Sequence, residues 1–453
     1  MAGMVVKNNM SAINTLNTLN KNHSALAKSL QKVSSGMRIN SAADDASGYA
    51  ISERMRVQIR SLDQDNRNTQ NGNSMMKVAE GAVSSTVEIL KTLKEKVINA
   101  ANDTNTDSDR QQIQKELDQS IDQINDNANV TYNGKYLVDG SHNRRVSASE
   151  NDPPTDVATH LTNESLDAKT AWDSKIFQLK NRNGESLNIQ STDMVTISVV
   201  NEGKTYTTSF RASEKLSDAF TAKLNNAVRG TEKFSSSGTG LETVTTGSNI
   251  GTGPSATVVT TADLGTALTL KASKAGVEGQ ISGLTISITD ANGNINKSAN
   301  AVLDNFTESI RAQNHSEDNA IVLQTGTKAN QAIKIGLTDM RAQALGLQGK
   351  DGDTLNVSTQ KNANAAINVL DNAIQKALDQ QTTIGAIESR LEYTSTNLTT
   401  ASENVTASES TIRDADMAKE MTEYTKNNVL LQAAQSMLAQ ANQNSSSVLS
   451  LLQ

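Results

Sequence analysis

Both ends of this chain carry apolar residues at steps of three and four, and neither end contains a proline. Near the start these are Ile13, Leu16, Leu19, Leu26, Leu30 and Val33; near the finish, Met417, Met421, Tyr424, Leu431 and Leu438. The prolines, Pro153, Pro154 and Pro254, all lie in the middle, where a missing backbone N–H breaks no terminal helix. Steps of three and four place side chains on one face of an α-helix. A narrow stripe of this kind gains stability from packing on a partner rather than from intrinsic propensity. The simplest way to bury both stripes is to lay the N-terminal helices on the C-terminal ones, with both termini at one end of a rod. The 453 residues are 36% hydrophobic and only 3% aromatic, which favours elongated helical packing over one thick core.

The spacing predicts a first helix over residues 5–35, with His23 tolerated in its stripe. Gly36 ends it, as a residue suited to the left-handed position past a C-terminus. The polar break SSGMRINSAADDASGYAISERMR, residues 34–56, offers Ser41, Asp44 and Asp45 as caps and first-turn anions for the next helix. That helix runs over about 44–100, roughly 85 Å at 1.5 Å per residue. Asn66 and Asn73 occupy its stripe, where a buried Asn fixes register at some cost in stability. After the turn NDTNTDSD comes a shorter helix with Ile113, Leu117, Ile121 and Ile124 on one face, and Asn133-Gly134 marks a tight turn.

From 141 to 320 the helical stripe is lost. Strand-like runs occur at 194–200, 205–210, 256–260 and 284–288, and Asn292-Gly293 is a hairpin signal. Helical patches are predicted at 212–228 and 298–313. The Ser/Thr/Gly-rich run 235–262 reads as a surface loop, and as an O-glycosylation platform if displayed outside a cell. Two short strands then lead from 321 into Met340–Leu347, followed by helices over about 358–407 and 410–443. The fold class is mainly α with a β-rich insert: a discontinuous, long α-helical coiled-coil bundle with N- and C-terminal helices paired, and an outward-facing α+β variable domain.

No enzyme motif is present. His23, His142, His160 and His315 are isolated, with no HExxH, no phosphate loop and no nucleophile elbow. Asp44-Asp45 is explained by capping, and Asp103, Asp107 and Asp109 lack the glycine and terminal Glu of a calcium loop. No cofactor and no metal are expected. The absence of cysteine excludes disulfides and thiolate chemistry. A net charge of -7 argues against nucleic acid. No run of eighteen apolar residues argues for membrane insertion, and no cleavable signal is visible at the start. What remains is association: the apolar ends read as assembly surfaces.

The residues that make up these ends resemble bacterial flagellin, the subunit of the flagellar filament. The match covers about 4–140, including residues 34–56 and AEGAVSSTVEIL, and about 321–453, including IKIGLTDMRAQALGL, IRDADMAKEMTEYTKNNVLLQAAQSMLAQANQ and VLSLLQ. The resemblance implies an inner D0 pair from 1–43 and 411–453, a D1 rod from 44–140 and 321–410, and a variable outer insert, 141–320. It implies polymerisation into a helical tube that serves swimming, through D0 residues Ile13, Leu16, Leu19, Leu26, Leu30, Val33, Met417, Met421, Tyr424, Leu431 and Leu438. The D0–D1 spoke would place Arg38, Asn40, Asp44, Asp45, Glu53 and Arg54 at subunit contacts. Implied partners are other copies of the chain, an export chaperone, the filament cap and hook-junction proteins. Export would be as an unfolded chain through the flagellar type III system to the extracellular filament. The receptor site recognised by Toll-like receptor 5 in many flagellins corresponds to Lys91, Thr92, Lys94, Glu95, Lys96 and Glu116. Activating members usually carry Arg at the position of Thr92 and Leu at that of Lys96, so weak activation is expected. The alternatives are a hook–filament junction protein, and an insert that also acts as an adhesin or glycan-binding surface.

Overall fold

The structure is a computed structural model that describes residues 9–146, 154–167, 169–170, 173–220, 241–244, 267–272 and 274–451. The chain divides into two compact units. The first is Met1–Thr69, Gln324–Gln331 and Tyr393–Gln453; the second is Gln70–Leu323 and Ala332–Glu392.

In the first unit, α1 (Met10–Ser35) and α6 (Met417–Leu451) pair antiparallel. The buried side of α1 runs through Thr15, Leu19, Asn22, Leu26, Ser29 and Val33. That of α6 runs through Glu420, Tyr424, Asn427, Leu431, Ala434, Leu438 and Ala441. Both are heptad sets, and in each one column is leucine-like and the other small or polar. The polar column is hydrogen-bonded across the seam: Asn427 Nδ2 donates to Ser29 Oγ at 2.9 Å and Asn22 Nδ2 to the Leu430 carbonyl at 3.3 Å. Lys32 Nζ lies 3.5 Å from Glu420 Oε1, and Asn9 Nδ2 donates to the Ala441 carbonyl at 3.3 Å. Polar groups at seam positions fix register at a cost in stability. His23, expected in the stripe, is exposed instead, because the seam passes through Asn22 and Leu26. Asn9 caps α1 by accepting from the Ala12 N–H, and Gly36 closes it at φ 70°, its N–H bonded to the Lys32 carbonyl.

The first unit also holds the start of α2 (Ala46–Ala100) and the end of α5 (Gln360–Arg413). Asn66 sits between them as a register residue, accepting from Ser395 Oγ at 2.7 Å and donating to Thr399 Oγ1 at 3.3 Å. The last helical break falls at 414–416, not between 407 and 410. Two contacts explain the shift. Arg38 N–H takes the Arg413 carbonyl, and Asp416 Oδ1 caps α6 by accepting from the N–H groups of Ala418 and Lys419.

In the second unit, α2 from residue 70, α3 (Asp107–Ala128) and α5 up to 392 share one core. Met76, Val83, Leu90, Val97, Ile121, Ile124, Val369, Leu370, Ile384 and Leu391 are fully enclosed. Each such side chain contributes about 1.5–3 kcal/mol by leaving water. Asn73, the second expected register residue, is half-buried with its Oδ1 enclosed and unpartnered. Thr106 and Asp109 form a capping box on α3. Arg110 then donates to the carbonyls of Ala100 and Asn102, at 3.0 and 3.1 Å, satisfying the end of α2. The hairpin β1 (Thr131–Tyr132) and β2 (Lys135–Tyr136) turns at Asn133 and Gly134, both at positive φ, 51° and 76°. A second short hairpin pairs β10 (Ile321–Gln324) with β11 (Ala332–Ile335).

The insert contains two larger sheets. One orders β5 (Lys204–Arg211), β4 (Met194–Asn201) and β8 (Ile281–Thr289), all antiparallel neighbours. The other orders β6 (Leu241–Val244), β7 (Ala267–Lys271), β3 (His160–Asn163) and β9 (Phe306–Ile310). The helix expected over 298–313 is only α4, Lys297–Leu303. It ends because the segment after Asn305 pairs with β3, where Thr162 Oγ1 bonds Ser309 Oγ at 2.8 Å. At Asn292-Gly293 the turn forms, with Gly293 at φ 86°, but beyond it only Thr289 and Ile295 pair. Residues 340–347 form turns. Of the helical patch at 212–228, residues 216–220 make one helical turn; 221–228, the strand run 256–260, most of 235–262 and the last two residues of VLSLLQ lie outside the described residues.

Candidate functional site

The polar break 34–56 becomes a built junction. Met37 pairs with Asp414 as an isolated antiparallel bridge, and Ala415 N–H donates to the Gly36 carbonyl at 2.9 Å. Arg38 Nη2 reaches the Ile412 carbonyl at 2.6 Å. Asp44 Oδ2 accepts from the N–H groups of Asn40 and Ser41 and from Ser41 Oγ. These bonds, the Ser41 N–H first, hold the Asp44 carboxyl below the usual carboxylate range. Asp44 therefore closes a turn, and the cap of α2 is Asp45, whose Oδ1 accepts from the Gly48 N–H at 2.9 Å. A Cβ on Gly48 would stand 2.8 Å from Ile39 Cδ1, so the glycine admits the buried Ile39 against the helix start.

The centre of the junction is Arg413, a residue that apolar spacing does not mark. Its guanidinium is almost fully enclosed. Nη1 donates to Glu53 Oε1 at 2.6 Å and to Ser52 Oγ at 3.2 Å, while Ser52 Oγ donates to Glu409 Oε1 at 2.8 Å. The Met37 sulfur accepts from Nε, and the Tyr49 ring lies 5.5 Å from Cζ. Arg413 holds the Glu53 carboxyl below its ordinary pKa, with Arg56 adding to the effect. One planar five-donor group thus ties three segments together, which Lys could not do. The signal available in the sequence was an arginine at the last turn of a long helix, where it also favours the helix C-terminus. Arg54 is exposed.

The terminal pair divides the expected assembly residues in two. Leu19, Leu26, Val33, Tyr424, Leu431 and Leu438 lie on the seam and are half-buried. Ile13, Leu16, Leu30, Met417 and Met421 are exposed, together with Met10, Val429, Leu430 and Met437. With about 100° of turn per residue, Met421 stands on one flank of the α6 seam, Leu430 and Met437 on the other, and Val429 opposite. On α1, Ile13 points away from the seam and Leu16 lies on a flank. An apolar surface on several sides of one helix pair is more than a monomer needs.

In the second unit the receptor-site equivalents fall on neighbouring faces of α2 and α3. Lys96 Nζ and Glu116 Oε1 form an ion pair at 3.0 Å. Thr92 Oγ1 turns back to the Glu88 carbonyl at 3.0 Å, and Lys91 pairs with Glu88 at 2.7 Å. Lys94 pairs with Asp371, and Glu95 is exposed. Among the described residues no group of His, Cys, Asp and Glu is placed to hold a metal, and no helix is long and apolar enough to cross a membrane.

Two family models match the two ends: the bacterial flagellin N-terminal helical region over residues 6–143, and the bacterial flagellin C-terminal helical region over 367–452. A flagellin of Clostridium tyrobutyricum is 34% identical over 442 residues, 97% of this chain and 99% of its own. A flagellin of Bacillus subtilis is 30% identical over 452 residues, 99% of this chain and 100% of its own. The flagellar hook associated protein-3 of Legionella pneumophila covers 79% of this chain and 97% of its own at 14% identity, with a TM-score of 0.33. Near-full-length likeness, and not only like ends, therefore decides between the two readings of the helical termini: the chain belongs to the bacterial flagellin family and is a structural subunit of the flagellar filament.

Proposed function

We propose that the exposed apolar residues of α1 and α6 are the surfaces through which copies of this chain join, in a polymer that serves swimming. The observation that carries this reading is their distribution over both flanks and the far side of the helix pair. One face would suit a dimer; several faces suit a lattice of heterologous contacts that do not close. In this reading 1–43 and 411–453 form D0 within the tube, 44–140 and 321–410 form D1 around it, and 141–320 faces outward. The Arg413 junction is the spoke between D0 and D1, with Arg38, Asn40 and Arg54 available to neighbours. The chain travels unfolded through the flagellar type III system, escorted by its export chaperone, passes the hook-junction proteins and adds beneath the filament cap outside the cell. The absence of cysteine and the polar seam suit a chain that is exported unfolded and ordered on assembly.

Seeded polymerisation tests the surface. The unaltered chain extends filament seeds into long tubes in electron micrographs. Met421→Glu places a charge on the exposed face without touching the seam, and stops extension. Normal tubes from this variant would remove Met421 from the assembly surface.

The same chain is a weak agonist of Toll-like receptor 5. Thr92 cannot offer the fork of donors that Arg offers at an interface. Lys96 places charge where an apolar contact is expected, and it engages Glu116. Thr92→Arg with Lys96→Leu raises potency in a reporter-cell assay by about tenfold or more, the equivalent of one interface anchor. A native chain already as potent as a strong agonist flagellin would refute the reading.

A further inference from the structure

The twelve methionines of this chain are not scattered alike. Met75, Met76 and Met340 are enclosed in the core of the second unit. Met10, Met417, Met421 and Met437 are exposed on the terminal helices, at 60%, 43%, 46% and 62%. Met194, at 38%, is exposed on β4 in the insert. From this placement we infer that the terminal helices carry a set of oxidation sites, Met10, Met417, Met421 and Met437, at which hydrogen peroxide converts the free subunit into a form that does not polymerise. The inference rests on the assembly reading of α1 and α6 given above.

The chemistry is self-contained. A thioether sulfur attacks one oxygen of hydrogen peroxide; the O–O bond breaks, an S–O bond forms, and water leaves after proton transfer. The sulfur loses two electrons and the peroxide gains them. The product sulfoxide is polar and chiral where the parent side chain was flexible and apolar, and thiol-dependent sulfoxide reductases reverse it. On a solvated helix face the change is tolerated. At an apolar subunit contact it leaves a strong acceptor without a donor. Because the enclosed methionines are shielded, oxidation removes assembly before it harms the core. Once neighbours cover α1 and α6, the same sulfurs are shielded too, so finished filaments resist a dose that inactivates free subunits.

The test uses the full-length chain. Purified monomer is treated with dilute hydrogen peroxide, and peptide mass spectrometry follows each methionine. Met10, Met194, Met417, Met421 and Met437 gain oxygen at least about tenfold faster than Met75, Met76 and Met340. Treated monomer fails to extend seeds, reductase treatment restores extension, and the thermal unfolding of the core is unchanged. A chain with Met10, Met417, Met421 and Met437 all replaced by Leu keeps extending after peroxide, whereas Met194→Leu gives no protection. If the fourfold replacement does not polymerise even untreated, the single variants Met421→Leu and Met437→Leu are compared for partial protection. Oxidised monomer that extends seeds normally overturns the inference, as does loss of extension that neither the fourfold nor the single variants relieve. The Met421→Glu variant separates the two claims. If it polymerises, its assembly reading fails; if it is blocked while the sulfoxide form polymerises, only the oxidation inference fails.

Discussion

A chain lacking residues 1–40 does not extend filament seeds, yet its second unit unfolds at nearly the same temperature as in the intact chain. The deletion removes the partners of Tyr424, Leu431 and Leu438, so α6 loses its seam. It also removes Gly36, Met37 and Arg38, whose backbone pairs with residues 413–415, and the Arg38 guanidinium bound to the Ile412 carbonyl. An isolated helix with a low-contrast surface such as α6 is only marginally stable in water. The exposed contacts of both helices are lost together. The core of the second unit spans Met75 to Leu391 and includes none of the deleted residues. Its melting temperature therefore shifts by no more than about 2 °C, the change that ~1 kcal/mol makes in a domain of this size. Electron microscopy and calorimetry on one preparation separate the two effects. Filaments from the truncated chain would take assembly away from α1.

The large features of this fold were legible because helical periodicity is local. The stripe from Leu62 to Val97 names its own core, and Thr106, Asn133 and Gly36 announce caps and turns by residue type alone. The seam of α1 and α6 was only half legible. Hydrophobicity singled out Ile13, Leu16, Met417 and Met421, which face outward. The true seam includes Asn22, Ser29, Glu420 and Asn427, and no scan for apolar spacing finds polar residues whose partners, Ser29 for Asn427, Lys32 for Glu420 and the Leu430 carbonyl for Asn22, lie across the helix pair. Arg413 was illegible for a related reason. Its partners Ser52, Glu53 and Met37 lie some 360 residues away in sequence. The register between 37 and 414 that unites them is a tertiary fact. In the insert, the strand β9 was hidden inside a helix-like run, because pairing with β3 outweighs the local preference of five residues.

A buried acid in the second unit gives the chain a pH dependence opposite in sign to ordinary acid denaturation. Glu308, on β9, is almost entirely enclosed; burial pushes its carboxyl up to about 7, against the pull of Lys376 and Arg311. Its Oε1 has no hydrogen-bond partner and its Oε2 lies 3.6 Å from Arg311 Nε. Both cations are engaged elsewhere. Lys376 Nζ donates to the Ala344 carbonyl at 2.6 Å, and Arg311 Nη2 pairs with Asp379 at 2.6 Å. Asp304 nearby is raised to about 6, also by burial, while the Ile286 N–H and Asn368 oppose the rise. A carboxyl whose folded pKa exceeds its unfolded one binds more protons when folded. Its contribution is complete below the unfolded value of 4.5 and is lost as pH rises through about 7. For Glu308 the full difference is on the order of 3 kcal/mol. Through these two carboxyls the second unit loses stability between pH 5 and pH 8, whereas Lys376, whose pKa burial lowers, contributes with the opposite sign. Glu308→Gln, which keeps the shape and removes the titration, flattens that loss while leaving the share from Asp304. Denaturant unfolding of both chains at the two pH values gives the difference directly. Equal pH dependence in the two chains would show that Glu308 finds, in the folded protein, a partner for its charge as good as water.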